Sequence, residues 1–479
     1  MIEQKRDLSL LILVGAFMLA GIGFDLATDD GEPTKTEPTG FSFFERAQFC
    51  PSRILEEGSE AQLSIATASA ESIPVVLEPM EDEPLELSAG STLTRQLEAT
   101  EPVAAEGFGS PVAGATSHFV ESRVGRSGVV EGTGAGNCAT DASQDWYFPS
   151  GDSSVATDYR LIIANPFPDE AVVQISFMTS GGEETSAQLS EVAVPAGDVE
   201  VASVSDAAIP QDLLSVRLHS ARGRVVAWKA LWTKPEGEAS GLEFTLGAPA
   251  PATEWYFPAG EVRDRARQAI TVMNPNEEES SVSVSLSTNE EPVQSSKLLE
   301  IAIAPQSSKR LVIPDRLDEK MGNVGGISAV VSVDNGVPVV AESTTVFSGE
   351  GSLTGRMTEV GSTTVSDSWL VAPPSGEPTS DLLVLQNPTT EEATVNVSIY
   401  GGRSDEGSEP VSPGNFQDIT VPPGLRVSVS LEDIAVSRGS WLEVVATGSE
   451  VVAERLTFNE SRSDVSSVMG HPDFGSPIR

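Results

Sequence analysis

The sequence predicts an all-β protein built from tandem immunoglobulin-like antiparallel β-sandwich repeats behind one N-terminal transmembrane helix. Three observations predict it: a motif series that recurs about every 110 residues, short apolar runs that end at turn residues, and one apolar segment near the N-terminus. A period this long indicates whole domains in tandem, because solenoid units are only about 20–50 residues long. The 479-residue chain is also too long for one core, since single cores stop growing near about 250–300 residues.

The first predicted element is a transmembrane anchor at residues 8–24, which are almost wholly apolar. At about 1.5 Å per residue, a helix of this length just crosses a bilayer core of about 30 Å. Lys5 and Arg6 precede the segment and acidic residues follow it, and the positive flank of a membrane helix stays in the cytoplasm. We therefore predict a single pass through the plasma membrane, with a cytoplasmic stub at 1–7 and the repeats outside the cell. A cleaved signal peptide is the alternative, although the segment has no clear Ala-x-Ala cleavage site.

A disordered acidic tether is expected at 25–45, because its Asp, Glu, Pro, Thr and Gly residues bury too little apolar surface to fold. The repeats that follow are expected to melt separately, since domains in tandem usually share small interfaces. The predicted bounds are a degenerate β-sandwich repeat with a disulfide at 46–143, full β-sandwich repeats at 144–250, 251–364 and 365–474, and a tail at 475–479.

Each full repeat opens with a Trp motif and continues through Asn-Pro to a Pro-containing turn and a Val-Val-Ala motif. The Trp precedes the Asn by 19, 19 and 18 residues in the three copies. We expect the Trp to be a core anchor because it stands at the same place in every copy; a sugar-stacking platform is the alternative. Asn-Pro should end a strand, because Pro lacks a backbone donor and disfavours helical geometry before it. The predicted structural anchors are Trp146, Trp255, Trp369, Asn165, Asn274 and Asn387.

Short strands are predicted between these motifs. Val173, Ile175 and Phe177 alternate with Val172, Gln174 and Ser176, which is the period of a half-buried strand. Turn residues such as Asn335-Gly336 separate neighbouring runs, and Asn-Gly favours the tight turn of an antiparallel hairpin. About seven strands per hundred residues, joined by short turns, predict a β-sandwich.

The first repeat departs from this pattern. Phe49-Cys50-Pro51 stands where Tyr147-Phe148-Pro149 stands in the second repeat, and Asn-Pro is replaced by Thr67-Ala68, so we expect a strand pair to be missing. Cys50 and Cys138 are the only two cysteines and bracket this repeat. An exported pair is expected to form a disulfide. A metal or redox site is the weaker interpretation, because no neighbouring His or CxxC spacing accompanies the cysteines.

The motif series resembles the repeats of an actinobacterial surface family, the domain-of-unknown-function 5719 family. The motifs of the series are Trp-Tyr-Phe-Pro-x-Gly, Asn-Pro, Pro-Ala-Gly and Val-Val-Ala-Glu, and the resemblance covers about residues 144–470. It implies a membrane-anchored, exported protein with β-sandwich repeats. It transfers no catalytic residue to this chain.

The charge balance excludes nucleic acid as a partner. Lys and Arg number 29 against 71 Asp and Glu, a formal net charge of -42, which repels phosphate backbones. We interpret the acidity as a means of keeping a long extracellular protein soluble; cation capture or repulsion from an anionic envelope is the alternative. The membrane, through the N-terminal helix, is the one partner that the sequence specifies.

No residue pattern indicates catalysis, and we predict no catalytic, metal or cofactor site. The three histidines, His118, His219 and His471, lie in different repeats without metal-ligand spacing. Gly151-Asp152-Ser153 resembles an esterase motif, but the other copies lack the Ser; the glycine-rich run at 132–136 lacks the Lys of a phosphate-binding loop.

The predicted function is a non-catalytic module of the cell envelope that binds a glycan or protein partner, or acts as a spacer. The alternative is an extracellular hydrolase that acts on envelope glycan at a site between repeats. That alternative requires one deep cleft with residues unique to one repeat.

Overall fold

The structure is a computed structural model, and it describes residues 47–51, 60–66, 73–78, 84–87, 92–96, 103–107, 114–125, 128–179, 182–233, 241–293, 295–317, 325–348, 354–374, 380–400, 410–431, 440–459 and 464–472. The predicted stub at 1–7, anchor at 8–24, tether at 25–45 and tail at 475–479 lie outside these residues. No helix among the described residues is long and apolar enough to cross a membrane.

The regular secondary structure of the described residues is nearly all β-strand, and every strand pair is antiparallel and lies within one repeat. The all-β antiparallel prediction is therefore confirmed. The α-helices are single turns, α1 (Val204–Ala207) and α2 (Ile313–Arg316). Further single turns of 3-10 helix lie at Ser296–Leu298 and Gly414–Phe416.

The first two repeats contain strands β1 to β17. Those of the first are β1 (Gln48–Cys50), β2 (Glu60–Ala66), β3 (Ile73–Glu78), β4 (Leu85–Leu87), β5 (Thr92–Gln96), β6 (Val103–Gly107), β7 (Gly114–Gly125) and β8 (Gly128–Asn137). Those of the second are β9 (Asp145–Phe148), β10 (Thr157–Asn165), β11 (Ala171–Thr179), β12 (Gly182–Thr185), β13 (Val192–Val194), β14 (Asp198–Ser203), β15 (Ser215–Arg222), β16 (Val226–Thr233) and β17 (Gly241–Leu246).

The last two repeats contain strands β18 to β37. Those of the third are β18 (Glu254–Phe257), β19 (Glu261–Arg263), β20 (Ala266–Asn274), β21 (Ser280–Ser287), β22 (Pro292–Val293), β23 (Ile301–Ile303), β24 (Ser307–Val312), β25 (Gly325–Gly326), β26 (Ser328–Val333), β27 (Val340–Ser348) and β28 (Thr354–Val360). Those of the fourth are β29 (Ser368–Val371), β30 (Ser380–Gln386), β31 (Ala393–Tyr400), β32 (Ile419–Val421), β33 (Arg426–Ser430), β34 (Trp441–Thr447), β35 (Val452–Asn459), β36 (Asp464–Met469) and β37 (His471–Pro472).

Each repeat folds its strands into two sheets with one recurring order. One sheet runs β5-β2-β7-β8 in the first repeat, β14-β10-β16-β17 in the second, β24-β20-β27-β28 in the third and β33-β30-β35-β36 in the fourth. The other runs β4-β3-β6-β1, β13-β11-β15-β9, β23-β21-β26-β18 and β32-β31-β34-β29. Immunoglobulin constant domains instead have the orders A-B-E-D and C-F-G. Here the central pairs are β5-β2-β7 in the first repeat and their counterparts β14-β10-β16, β24-β20-β27 and β33-β30-β35 in the others.

The first repeat has the same eight strands as this common frame. The expectation that it lacks a strand pair is therefore wrong. The prediction rested on worn motifs and on the short interval of 12 positions from Gly90 to Pro102, but the five-residue strand β5 fits inside that interval.

The last long strand of each repeat, which we call its axial strand, packs against the axial strands of two other repeats. The axial strands are β8, β17, β28 and β36. In the described residues, β8 contacts β17, β17 contacts β28, β28 contacts β36, and β36 contacts β8, so the four repeats close into a ring. The amide of Asn137 in the first repeat donates to the carbonyl of Met469 in the fourth at 2.7 Å. The amide of Asn459 donates to Thr133 at 3.1 Å across the same junction.

Apolar cores also continue across the boundaries between repeats. Tyr147 and Met178 of the second repeat lie in the same buried cluster as Trp255 of the third. Tyr256 of the third repeat likewise belongs to the cluster that contains Trp369 of the fourth. Arg46–Arg479 form one compact unit, so separate melting of the repeats is no longer the expected behaviour.

Candidate functional site

The predicted Trp and Asn anchors occupy equivalent buried positions in the three full repeats. Each Trp is at most 2% exposed, and its indole Nε1 donates at 2.8 Å to the first Val carbonyl of the Val-Val-Ala motif. Each Asn is 0% exposed, accepts from the backbone N–H two residues later, and donates to the carbonyls of the residue four positions later and of the following short strand. The Asn side chain thus ties the Asn-Pro turn to the neighbouring strand. The residues are Trp146, Trp255, Trp369, Asn165, Asn274 and Asn387.

Cys50 and Cys138 form a disulfide with a Cα–Cα distance of 4.4 Å. It joins β1 to the chain just after the axial strand β8, beside the paired residues Phe49 and Ala139. In the second repeat the equivalent residues are Phe148 and Gly247, and a Cβ on Gly247 would lie 2.7 Å from the Phe148 ring. The disulfide therefore fills a place that an aromatic ring packed on glycine fills elsewhere.

The glycine-rich run of the first repeat has a packing role at the ring axis. Gly134 and Gly136 lie on β8 against Phe244 of the axial strand β17. A Cβ would lie 2.9 Å from the Phe244 Cβ at Gly134 and 2.5 Å from its ring at Gly136. Only glycine lets the two strands approach this closely.

The histidines and Ser153 lie apart from one another. His219 contacts the carboxylate of Asp145 at 3.0 Å, His471 is buried with its ring 6.0 Å from that of Trp441, and His118 lies on β7. Ser153 is buried and its hydroxyl donates to the Ile209 carbonyl at 2.9 Å, so it is a turn residue. Within the part of the chain that the structure describes, no group of three or more His, Cys, Asp or Glu is placed to hold a metal ion.

Buried charges join the second repeat to the third. Glu342, from the Val-Val-Ala-Glu motif of the third repeat, is 0% exposed and accepts from the backbone N–H of Ser150 at 3.0 Å and from its hydroxyl at 2.7 Å. Lys229 of the second repeat, also 0% exposed, forms an ion pair with the same carboxylate and donates to the Ser150 carbonyl at 3.1 Å. The motif glutamate thus holds the residue that follows Trp-Tyr-Phe-Pro in the preceding repeat.

The junction between the third and fourth repeats uses the same position. Glu454 of the fourth repeat accepts from the backbone N–H of Ala259 at 2.9 Å, and Arg426 donates to the Gly260 carbonyl at 3.3 Å. Burial raises the pKa of Glu454 to about 7 although the Ala259 N–H and Arg426 favour its charged form. Burial likewise lowers the pKa of Arg426 to about 10. Burial and the neighbouring Glu454 and Glu342 also raise the pKa of Glu359 well above its ordinary value.

This raised pKa predicts that part of the stability is lost as the pH rises. Between the unfolded pKa of 4.5 and the folded value of about 7, the folded chain binds more protons than the unfolded chain, so the free energy of unfolding falls with pH. Glu454→Gln keeps an acceptor for Ala259 without ionising. We expect wild type to lose about 3 kcal/mol relative to this variant between pH 4.5 and 7.5. Urea unfolding at several pH values measures the difference; parallel pH profiles for the two proteins would contradict it.

A cleft of about 300 Å³ lies between the second and third repeats. Ser150, Asp152 and Glu243 line it from the second repeat, and three arginines line it from the third. Arg356 pairs with Glu243 at 2.5 Å, with the carboxylate side chain 1% exposed. Register places Arg267, on β20, in one row across the sheet with Arg356 on β28. The third arginine, Arg310, lies on β24.

Arg310 differs from the other two arginines of this cleft in its contacts. Among the residues that the structure describes, no hydrogen bond or ion pair engages its guanidinium, whereas Arg267 pairs with the exposed Asp315 at 3.1 Å. Burial and the neighbouring Arg356 lower the pKa of Arg310, with partial compensation from Glu243 and Asp152. A desolvated guanidinium beside a second arginine favours an anion.

The three arginines belong to the third repeat alone. Strand register places Val201 and Ser428 at the position of Arg310. The position of Arg356 is occupied by Leu242 in the second repeat and by Val465 in the fourth. The position of Arg267 is occupied by Asp158 in the second repeat and by Ser380 in the fourth. Sequence reasoning missed them because it followed what the copies share. A comparison of the copies position by position would have found them.

A second recess, of about 240 Å³, lies on the second repeat and is lined by His219, Arg217, Glu183 and neighbouring residues of β11 and β12. Arg217 donates to the Asp145 carboxylate at 3.1 Å, and His219 contacts the same carboxylate. Its arginine is thus already paired, in contrast to Arg310.

No curated protein matches the chain. Three solved structures show partial likeness. Thermotoga maritima 1070 has 23% sequence identity, a TM-score of 0.20, and coverage of 23% of this chain and 94% of that chain. The Anabaena sensory rhodopsin transducer has 16% identity, a TM-score of 0.17, and coverage of 20% and 96%. A Streptomyces avermitilis alpha-L-rhamnosidase complexed with L-rhamnose has 10% identity, a TM-score of 0.13, and coverage of 84% and 54%. At these TM-scores the likenesses carry no argument about function.

The sequence matches a family of unknown function, DUF5719, over residues 105–341 and 319–454. The matched ranges span more than half of the chain and contain the three Trp motifs and the three Asn-Pro turns. The resemblance to this family is therefore confirmed, and the chain belongs to the DUF5719 family.

Proposed function

We propose that this protein is an exported, membrane-tethered ring of four β-sandwich repeats that binds a component of the cell envelope without catalysing a reaction on it. The apolar segment at 8–24 and its positive flank support the tether and its direction. The bonded pair Cys50–Cys138 supports export, because disulfides persist in oxidising compartments. The family resemblance supports an actinobacterial surface.

The cleft between the second and third repeats is the observation that carries the binding role. It is concave, it lies at a boundary between repeats, and its arginines occur in one repeat only. The remaining charges at the junctions are buried and engaged with backbone groups of the neighbouring repeat. They serve to hold the ring, which leaves the cleft as the place where a ligand fits.

A hydrolase acting on envelope glycan is the second candidate, and the same cleft is the observation in its favour. Glycoside hydrolysis uses a carboxyl group that stays protonated to act as the general acid. Burial acts to raise the pKa of Glu243, but Arg356 and Lys229 outweigh it and lower that pKa. Asp152 accepts from the backbone N–H of Ser154 at 2.7 Å, as a turn residue does. A locked, ionised Glu243 supports binding rather than hydrolysis.

Export is tested by adding a protease to intact cells. We expect the repeats to be digested while a cytosolic marker stays intact, because the positive flank keeps only residues 1–7 inside. The matched control is a chain that lacks residues 8–24, which should be protected until the cells are lysed. Protection of the full-length protein in intact cells would contradict the topology.

Affinity capture with the full-length chain then addresses the binding role. The chain is immobilised and exposed to envelope extract, with separate readouts for retained glycan and for released reducing sugar. We expect retention without release. Release of sugar that requires Glu243 would favour the hydrolase instead.

A further inference from the structure

We propose that the cleft between the second and third repeats binds an acidic sugar residue, with the Arg310 guanidinium contacting its anionic group. This inference rests on the proposed binding role and names the class of ligand. Arg310 lines the cleft, and it has no hydrogen bond or ion pair to any residue within the described ranges. A planar guanidinium recognises carboxylate and phosphate through paired hydrogen bonds.

The setting of Arg310 makes this cation unusual in the molecule. The chain has a formal net charge of -42, yet Arg267, Arg310 and Arg356 converge on one recess. Glu243 engages the Nε of Arg356 at 2.5 Å. Asp152 also lines the recess and acts on Arg310 through space, but within the described ranges no ion pair joins the two. A mobile anion is therefore the group that fits directly against the Arg310 guanidinium.

The remaining lining of the cleft suits a sugar rather than a bare anion. Ser150, Thr344 and Ser348 bring hydroxyl groups to its wall. Gln268 also lines it, is 0% exposed, and has a buried Oε1 with no hydrogen-bond partner among the described residues. An unpartnered buried acceptor favours a donor such as a sugar hydroxyl. The volume of about 300 Å³ is at the lower end of the range of about 300–1,000 Å³ for small-molecule sites, which suits a single sugar residue.

The equivalent place at the next junction holds a long side chain. At the junction of the third and fourth repeats, Arg426 donates to the carbonyl of Gly260, the counterpart of the cleft-lining Gly151, and to Ser428 at 2.5 Å. Register places Ser308 at the position of Arg426 in the third repeat. A serine there leaves room that the arginine fills at the other junction.

The test is calorimetric titration of the full-length chain, in neutral detergent at low salt, with D-glucuronate, D-glucose 6-phosphate, D-glucose and inorganic phosphate. We expect one or both acidic sugars to bind and glucose not to bind, and the two acidic probes distinguish a carboxylate from a phosphate ligand. Arg310→Val, which installs the residue of the second repeat, should weaken binding about 10–100-fold.

Lys309→Val is the matched control, because it removes the same charge from an exposed residue on the opposite face of the same strand and installs the residue of the fourth repeat. It should leave the affinity unchanged. Arg310→Ser is a second variant, used if Arg310→Val shifts the melting temperature. Binding of neither acidic sugar, or equal loss with Lys309→Val, would overturn the proposal; inorganic phosphate binding as tightly as glucose 6-phosphate would overturn the sugar assignment. These outcomes do not depend on where the protein is located, so they are separable from the protease test.

Discussion

Glu342→Ala is expected to destabilise the ring by about 3–5 kcal/mol, the cost of leaving a buried charge without its partner. Lys229 would lose its ion-pair partner at a position that is 0% exposed, and the backbone N–H of Ser150 would lose its acceptor. Both losses fall on the second repeat although the substitution lies in the third. Chemical unfolding followed by tryptophan fluorescence measures the change.

A double-mutant cycle separates the ion pair from the rest of the junction. Lys229→Met with Glu342→Leu should recover much of the loss, because an apolar pair of similar volume avoids burying charge. Glu277→Ala is the matched control, since Glu277 is exposed in the same repeat and should change stability by less than about 0.5 kcal/mol. A Glu342→Ala variant as stable as this control would contradict the junction described above.

Trp255→Ala is expected to lower the stability of all four repeats together, by about 3–5 kcal/mol. The indole is 2% exposed and donates to the Val339 carbonyl at 2.8 Å, so both packing and a hydrogen bond are lost. Its cluster includes Tyr147 and Met178 of the second repeat. Loss of this core therefore weakens the neighbouring repeat as well.

Differential scanning calorimetry decides between cooperative and separate melting. We expect one transition at a lower temperature for Trp255→Ala. Val155→Ala is the control because Val155 is 78% exposed. A calorimetric trace in which part of the heat stays at the wild-type temperature would show that the third repeat melts alone, as the sequence first led us to expect. Unchanged melting with loss of a ligand would instead make Trp255 a recognition residue.

Local features of the repeats were predictable from the sequence because each depends on residues close in the motif series. Trp255 and Asn274 stand at fixed distances within one copy, and each hydrogen-bonds inside that copy. The full strand set of the first repeat was missed because its motifs have diverged in sequence. Gln48, for example, stands where the other copies have Trp. The backbone pairing of β1 with β6 nevertheless matches that of β18 with β26, although the side chains differ.

Contacts between repeats were not predictable in the same way. Glu342 looks like one more acidic residue in a strongly acidic chain, and its partner Lys229 lies 113 residues away in another copy. The cleft depends on Arg310, whose importance follows from how it differs from Val201 and Ser428 in the other copies. A pattern that repeats reveals what the copies share, whereas a binding site depends on where they diverge.

Closure of the ring fixes the number of repeats. An open array of repeats can gain or lose a unit, because each unit contacts only its neighbours and the ends stay free. Here every axial strand has a neighbour on both sides, and Gly134 and Gly136 fit the spacing around Phe244 with no room for another atom. A fifth copy would have to widen the axis, and the loss of one would expose two apolar faces. Duplication or deletion of a whole repeat, a common path of change in open arrays, is therefore closed to this protein, and variation is confined to substitutions and loops within four copies.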